Sequence, residues 1–436
     1  MHNSENMKIK NEINKIGSIE IYKLVQKYGT PLYVYDSKNI SLNYKKIYNS
    51  FLSKYNKLQL CYSVKVNNNL AILKYIHNLG AGFDCSSKGE IYLAKKTGKA
   101  FISYVGNYNS NEELKYALDK TVDNFILDDI SILDRLKNFD INKKTSFGFR
   151  INADLDIKDD SGIQLSGPNS KFGISEKHII AAYKKLKNLG VQKFSIHMMI
   201  GSNIVNPFYF KAVAEKLMTI IKIIKENLNI EIDFIDIGGG FGIAYNDKSK
   251  DLNIERTAKE VTDTIKKYVK KYNLKEPILI IEPGRYILGH SGYLLGKIHS
   301  IKKEVKKYVG TDISINSILR IPLFKAQHEV SVHRLNNLQN KTERVNLCGQ
   351  ICWDGDILRK DIKLPILNIG DIIVLHDVGA YGFCHSNQFN TRTRPTEILI
   401  SNGKSYLIRE RERLTEFDRL VKIPDFLNQE YRGFEE

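Results

Sequence analysis

Leu58–Gln59–Leu60–Cys61–Tyr62–Ser63–Val64–Lys65 is a short apolar run that ends on a lysine. Leu70, Ile72, Leu73 and Ile76 follow on one helical face, and Gly80 stops the pattern. A strand-length run, a 3.6-residue period and a terminating glycine make one strand–helix unit. Further strand-like runs cover Ala81–Ser87, Ala100–Gly106, Asn124–Asp129, Thr145–Asn152, Lys193–Ile200, Phe234–Gly239 and Ile278–Gly284. Helical periods lie between them, as at Ile179, Ala182, Leu186 and Leu189 before Gly190, and at Val213, Leu217, Ile220 and Ile224. Eight strands alternating with helices predict an α/β fold, a (β/α)8 barrel over 37–285. An open doubly wound sheet is the alternative, but closure removes the edge strands. The stretch from Arg150 to Glu176 is long for a connection and reads as an active-site loop.

After Arg285 the pattern changes. Tyr293–Ile301, Lys341–Leu347, Asp371–His376 and Glu397–Ser401 read as strands without long helices between them. A second, mainly β domain is expected over 286–436, joined by the N-terminal segment 1–36 through Pro31–Leu32–Tyr33–Val34.

A chain of 436 residues, 42% hydrophobic and 26% charged, buries a large core and is not disordered. Five scattered cysteines suggest neither a disulfide framework nor a zinc cluster, so no metal is expected. With no run of membrane-spanning length and a polar N-terminus, a cytoplasmic protein without membrane partners is expected. The formal charge of +17 raises nucleic acid as a partner. The lysines are spread among acidic residues, however, with the densest group at Lys302, Lys303, Lys306 and Lys307 and no recognition motif beside it. A solvated basic surface, or attraction of small anions, is the better reading.

In a barrel the chemistry gathers at the C-terminal ends of the strands. Those ends offer Lys65, Asp84, Asn107, Asp128, Arg150, His197–Ser202, Gly238–Gly239–Gly240 and Glu282–Pro283–Gly284–Arg285. Partial burial of Lys65 would lower its pKa and make it a Schiff-base former toward a carbonyl such as pyridoxal phosphate; a snorkelling surface lysine is the bland alternative. The glycine run exposes backbone N–H groups to a phosphate, or merely makes a tight turn. Glu282 suits either the pyridine nitrogen of that cofactor or an ion pair with Arg285 or a lysine. Hydrolysis by paired carboxylates from Asp84, Asp128 and Glu282 leaves the lysine and the glycines unexplained.

Taken in order, six blocks resemble the fold-type III pyridoxal-phosphate decarboxylases, the family of diaminopimelate decarboxylase and eukaryotic-type ornithine decarboxylase. They are Tyr62–Ser63–Val64–Lys65–Val66–Asn67, Gly82–Phe83–Asp84–Cys85–Ser86–Ser87–Lys88–Gly89–Glu90, Asp236–Ile237–Gly238–Gly239–Gly240–Phe241–Gly242, Glu282–Pro283–Gly284–Arg285–Tyr286, Cys352–Trp353–Asp354–Gly355–Asp356 and Gly379–Ala380–Tyr381. The resemblance implies an alanine-racemase-like barrel, pyridoxal 5'-phosphate on Lys65, and decarboxylation of an amino acid, most like meso-diaminopimelate to L-lysine. It implies Asp84 and Glu90 in the cofactor pocket and Glu282 at the pyridine nitrogen. Ser202, Gly239, Gly240, Gly284, Arg285 and Tyr381 would sit around the phosphate or the substrate carboxylate. Arg320 resembles an arginine for a distal carboxylate. Cys352 resembles a cysteine that assists reprotonation from the second subunit of a homodimer.

Three positions depart from that pattern. The diaminopimelate enzymes read His-x-His-Ile-Gly-Ser where this chain has His197–Met198–Met199–Ile200–Gly201–Ser202, so Met199 stands at the ring-stacking position. Trp353 replaces a glutamate after the cysteine, with Asp354 next to it, and Phe324 replaces a tyrosine. These changes keep open a decarboxylase for another amino acid or a carboxylated polyamine. A racemase of the same fold type and a non-catalytic scaffold that binds nucleic acid are the rival classes.

Overall fold

The structure, a computed structural model, describes residues 12–153, 165–199, 201–245, 249–335 and 341–428. The expectations for Ile200 and for most of the loop after Arg150 therefore lie partly outside the described residues.

Leu32–Asp36 (β1) precedes eight parallel barrel strands: Leu58–Ser63 (β2), Gly82–Cys85 (β3), Ile102–Val105 (β4), Asn124–Leu127 (β5), Ser146–Asn152 (β6), Lys193–His197 (β7), Phe234–Asp236 (β8) and Ile278–Ile281 (β9). The ring closes where β9 pairs with β2, Leu279 opposite Leu58 and Ile281 opposite Leu60. The barrel is therefore closed and the open sheet is excluded. Strands this short and apolar on both faces suit a sheet covered by helices outside and filled by side chains inside. Phe125 and Phe147 stack within it at 5.4 Å between ring centroids.

Local chemistry fixes the helices that follow. Ser110 and Glu113 form a reciprocal capping box at the start of Asn111–Asp119. Asn206 caps Pro207–Leu228, where Pro207 occupies the first turn and Asn229 ends the helix in the left-handed region. The helix after β9 has only five residues, Gly284–Leu288. Its place on the barrel wall is taken by Ser37–Leu52, which packs on both Gly284–Leu288 and Ile254–Tyr272.

The β domain is organised by Gly292–Lys303 (β10). It pairs antiparallel with β1, with Lys307–Thr311 (β11) and with Ile372–Leu375. Thr396–Ser401 lies parallel to β1 on its other side. Strand pairing thus ties Leu32–Asp36 to the C-terminal sheet, although Ser37–Leu52 belongs to the barrel wall. No helix among the described residues is long and apolar enough to cross a membrane.

Candidate active site

A cavity of about 700 Å³ opens at the C-terminal ends of the barrel strands. Its wall includes Lys65, Asp84, Met199, Ser202, Glu282, Arg285, Arg320, Phe324 and Tyr381, so nine residues singled out by sequence converge on one space. Gly239, Gly240, Gly284 and Glu90 are not part of that wall.

Lys65 sits in a 3-10 turn, Val64–Val66, immediately beyond β2. Its Nζ donates to Asp84 Oδ2 at 2.5 Å, and one third of the side chain is exposed toward the cavity while Asp84 is fully buried. This corrects the expectation of a lowered lysine pKa. Burial does press it down, but Asp84 and then Glu282 outweigh burial and hold the ammonium well above its ordinary value. Asp84 is itself shifted upward, by burial and by the negative Glu282. Glu90 lies behind this pair. Burial pushes it up to about 7 against the pull of Lys65, and its Oε2 accepts the Ser86 N–H at 2.6 Å.

Glu282 follows β9 directly. Its N–H donates to Gly238 O at 2.9 Å, and its carbonyl accepts from Ser63 Oγ at 3.2 Å. His197 Nε2 lies 3.8 Å from Glu282 Oε2, and both residues are buried. His197 is therefore a supporting histidine beside a carboxylate, and both it and Met199 line the cavity.

The glycine run has a backbone reason of its own. Gly238 and Gly240 have φ of +69° and +89°, and a Cβ on Gly239 would stand 2.7 Å from Glu282 O. These glycines let the turn after β8 press against its neighbours.

Across the cavity Arg285 and Arg320 share one acceptor. Tyr245 Oη accepts from Arg285 Nη1 and, at 2.9 Å, from Arg320 Nη1. Burial raises this phenol, yet the two guanidinium groups outweigh it and leave the pKa below the ordinary tyrosine value. Arg320 Nη1 also donates to Ala380 O at 3.1 Å, while its buried Nε has no partner. The Arg285 guanidinium lies 4.9 Å from the Tyr381 ring centroid and 3.4 Å from Ser202 Oγ. Tyr245, Arg150 and His385 also line this cavity. Arg150 stood among the strand ends without a role, marked only by its place near the end of the run Thr145–Asn152. Tyr245 carried one weak signal, the first ring after the glycine-rich turn and Phe241.

Two further expectations fall outside this cavity. Cys352, Trp353 and Asp354 lie on an exposed turn, with Cys352 Sγ 2.9 Å from Asn390 Nδ2. Asp128 is occupied structurally, accepting the Gly173 N–H at 2.9 Å. Paired-carboxylate hydrolysis loses that member, and Asp84 is engaged by the lysine.

A primary amine, an anionic floor and an arginine-rich rim form a site for an anionic aldehyde cofactor. The match to known proteins agrees. Residues 43–289 match the family described as pyridoxal-dependent decarboxylase, pyridoxal binding domain. The chain belongs to the pyridoxal-dependent decarboxylases. It is 35% identical to the diaminopimelate decarboxylase of Methanothermobacter thermautotrophicus over 94% of this chain and 95% of that one. The diaminopimelate decarboxylase of M. jannaschii in complex with L-lysine superposes with a TM-score of 0.85 at 30% identity, covering 97% of this chain and 99% of that one. The Helicobacter pylori enzyme with L-lysine gives 0.82 at 28% identity, over 92% and 98%.

As a decarboxylase of this family the chain takes pyridoxal phosphate as its cofactor, and the donor set suits it. Lys65 offers the amine, and Glu282 Oε1 is a buried acceptor without a partner. Such a lone acceptor beside a cavity is suited to a ring N–H.

Proposed function

We propose that this decarboxylase acts on an amino acid whose distal end is anionic, most like meso-diaminopimelate, releasing carbon dioxide and L-lysine. The observation that carries this reading is Arg320. It is 6% exposed, lines the same cavity as Lys65, and keeps a buried Nε with no partner. A buried guanidinium with a spare donor is matched by a carboxylate. The names of the relatives support the same substrate.

Pyridoxal phosphate, when bound, supplies the electron sink for the pair left behind by the departing carboxylate. The protein's own groups do the rest. Lys65 must give up a proton before its amine can attack a carbonyl, and Asp84 Oδ2 at 2.5 Å is placed to take it. Glu282, with its unpartnered Oε1, would hold the ring nitrogen in its protonated form. Arg285, Ser202, Tyr381 and the glycines 239, 240 and 284 are assigned to the phosphate and the substrate carboxylate, and Arg320 to the distal group. Glu90, behind Asp84, steadies the charge of the lysine. Met199, on the cavity wall, would offer its thioether to the ring.

Cys352 is assigned to a second copy. It is exposed, away from its own cavity, and would complete the site of a homodimer partner as the group that returns a proton, with Trp353 and Asp354 closing the distal end. In this division 37–285 carries the cofactor, while 1–36 and 286–436 form the β domain. The free thiols of all five cysteines fit a cytoplasmic setting.

Phe324 favours a second reading. It lines the cavity without a hydroxyl, which suits a different amino acid or a carboxylated polyamine. Release of carbon dioxide from meso-diaminopimelate by cofactor-loaded protein tests the first reading. Rapid release supports it. No release from loaded protein, with turnover of another amino acid, moves the assignment to the second.

A further inference from the structure

At the cavity floor, His197 and Glu282, with Asp236 behind the lining, bring ligand-capable atoms within 4.8 Å of one another. All three side chains are at most 2% exposed. Asp236 is the last residue of β8, and its pair partner in β9 is Ile280, two residues before Glu282. Asp236 Oδ1 accepts the Gly238 N–H at 2.9 Å. Its Oδ2 has no hydrogen-bond partner, and neither has Glu282 Oε1. Two neighbouring buried carboxyls thus each keep an oxygen with no donor.

That arrangement cannot hold two anions. The charged groups acting on Asp236 are Glu282 and Asp84, both acidic. Lys65, the nearby cation, is committed to Asp84 at 2.5 Å, and Arg150 donates to Met199 O at 3.3 Å. From the side of β2 the pair is faced by the Cys61 thiol, and from β7 by His197. A buried anion without a partner is strongly disfavoured, so one proton is retained by the pair. The two oxygens of Asp236 decide which residue keeps it. Oδ1 already accepts, which leaves Oδ2 free to carry a hydrogen. Glu282 has His197 and Lys65 on its other flank, and both favour its charged form.

We propose that Asp236 is a positioning residue that stays protonated at neutral pH and donates from Oδ2 to the Glu282 carboxylate, holding Glu282 as the anion that faces the ring nitrogen. This rests on the cofactor role given to Glu282 above. Burial and the negative Glu282 both raise Asp236 well above the carboxylate range, while Glu282 is held below it. Without the donated hydrogen, Glu282 would keep the proton itself and present a neutral acid to the ring.

Infrared difference spectra of the cofactor-free protein test the proton directly. A protonated-carboxyl carbonyl band, distinct from the one that Glu90 contributes and Glu90→Gln removes, should persist at neutral pH, shift in heavy water, and vanish in Asp236→Asn. In the loaded protein Asp236→Asn keeps a donor to Glu282 and should keep the pH titration of the cofactor's visible absorbance. Asp236→Leu removes the donor and should move that titration by about one pH unit or more. The proposal is overturned if wild type shows no such band, if the band survives Asp236→Asn, or if an equivalent of metal copurifies and is lost in that variant. A protein that binds no pyridoxal phosphate would sink the cofactor reading instead, and the infrared band would still decide the proton.

Discussion

Replacing Asp84 by Asn should convert Lys65 from a stabilised ammonium into a readily deprotonated amine. The two groups are 2.5 Å apart, and Asp84 is fully buried. For unit charges at that separation and an effective dielectric constant of about 20, Coulomb's law gives about 7 kcal/mol. That figure is an upper limit. The carboxylate charge is spread over two oxygens, and cavity water screens a lysine that is one third exposed. A neighbouring opposite charge ordinarily moves a pKa by about 1–3 units, and a fall of that size is expected here. Glu282 remains and limits the fall, while burial, which opposes the charged form, reinforces it. The assay is the pH dependence of the rate at which cofactor-free protein captures pyridoxal phosphate, followed by absorbance. In wild type the rate should climb with pH toward the alkaline end. In Asp84→Asn the midpoint should move to lower pH by the stated amount. An unchanged midpoint, with the variant folded, would refute the claim that Asp84 governs the lysine.

Three other outcomes follow from contacts already described. A Cβ on Gly284 would stand 2.3 Å from Val66 Cγ2 in the lysine turn, so Gly284→Ala should cost about 1–3 kcal/mol, read as a lower urea midpoint. His290 bridges Asp377 at 2.6 Å and Asp251 at 3.0 Å. Burial opposes its charge, yet the two carboxylates lift it to about 10. A raised folded-state pKa means that this stabilisation is complete below about pH 6.5 and is lost as pH rises through about 10. The Tm difference between wild type and His290→Gln should therefore shrink over that window, and a constant difference would contradict it. Trp353→Glu restores an acceptor for a distal ammonium and should raise kcat/KM for meso-diaminopimelate relative to other amino acids; an unchanged ratio would place specificity elsewhere.

The barrel was legible because its strands are short apolar runs separated by glycine-stopped helices, and a period of that kind survives loop variation. The strand ends were read too long. Ala81–Ser87 is a strand only over Gly82–Cys85, and Phe234–Gly239 only over Phe234–Asp236. The surplus residues are the turns that carry Ser86 and Gly238. In the β domain, Ile357–Pro365 was missed because Asp361, at φ +50°, breaks its alternation opposite a register shift. Lys307–Thr311 was hidden inside the lysine cluster, although Lys307 is an internal partner of Glu343 at 2.5 Å. At the site, motif residues were found because their order along the chain is distinctive. The Tyr245 bridge was not, because a tyrosine accepting from two arginines far apart in sequence leaves no local pattern. The direction of the Lys65 shift also needed coordinates, since burial and Asp84 act in opposite senses and only distance decides between them.

The division between a fixed centre and a variable rim has a physical cause. Val66, next to the lysine, offers its carbonyl to the Tyr381 N–H at 2.9 Å and to Cys384 Sγ at 3.3 Å, both from the β domain. Gly284 presses on the same turn from the barrel. Tyr381 makes its contact from a left-handed backbone position, φ +57°, a conformation that side chains other than glycine adopt only when their surroundings impose it. Lys65, Asp84, Asp236 and Glu282 then share charges and protons, so changing one leaves another buried without its partner. Phe324 and Trp353 carry no such debt. They are 47% and 45% exposed, on a short helix and a turn outside the barrel. On the substrate and dimer reading proposed above, a substitution there alters what the distal end of a substrate meets without unpairing anything below. The substrate preference of this chain should therefore be sought at those two positions, while the proton and electron chemistry stays with the buried set.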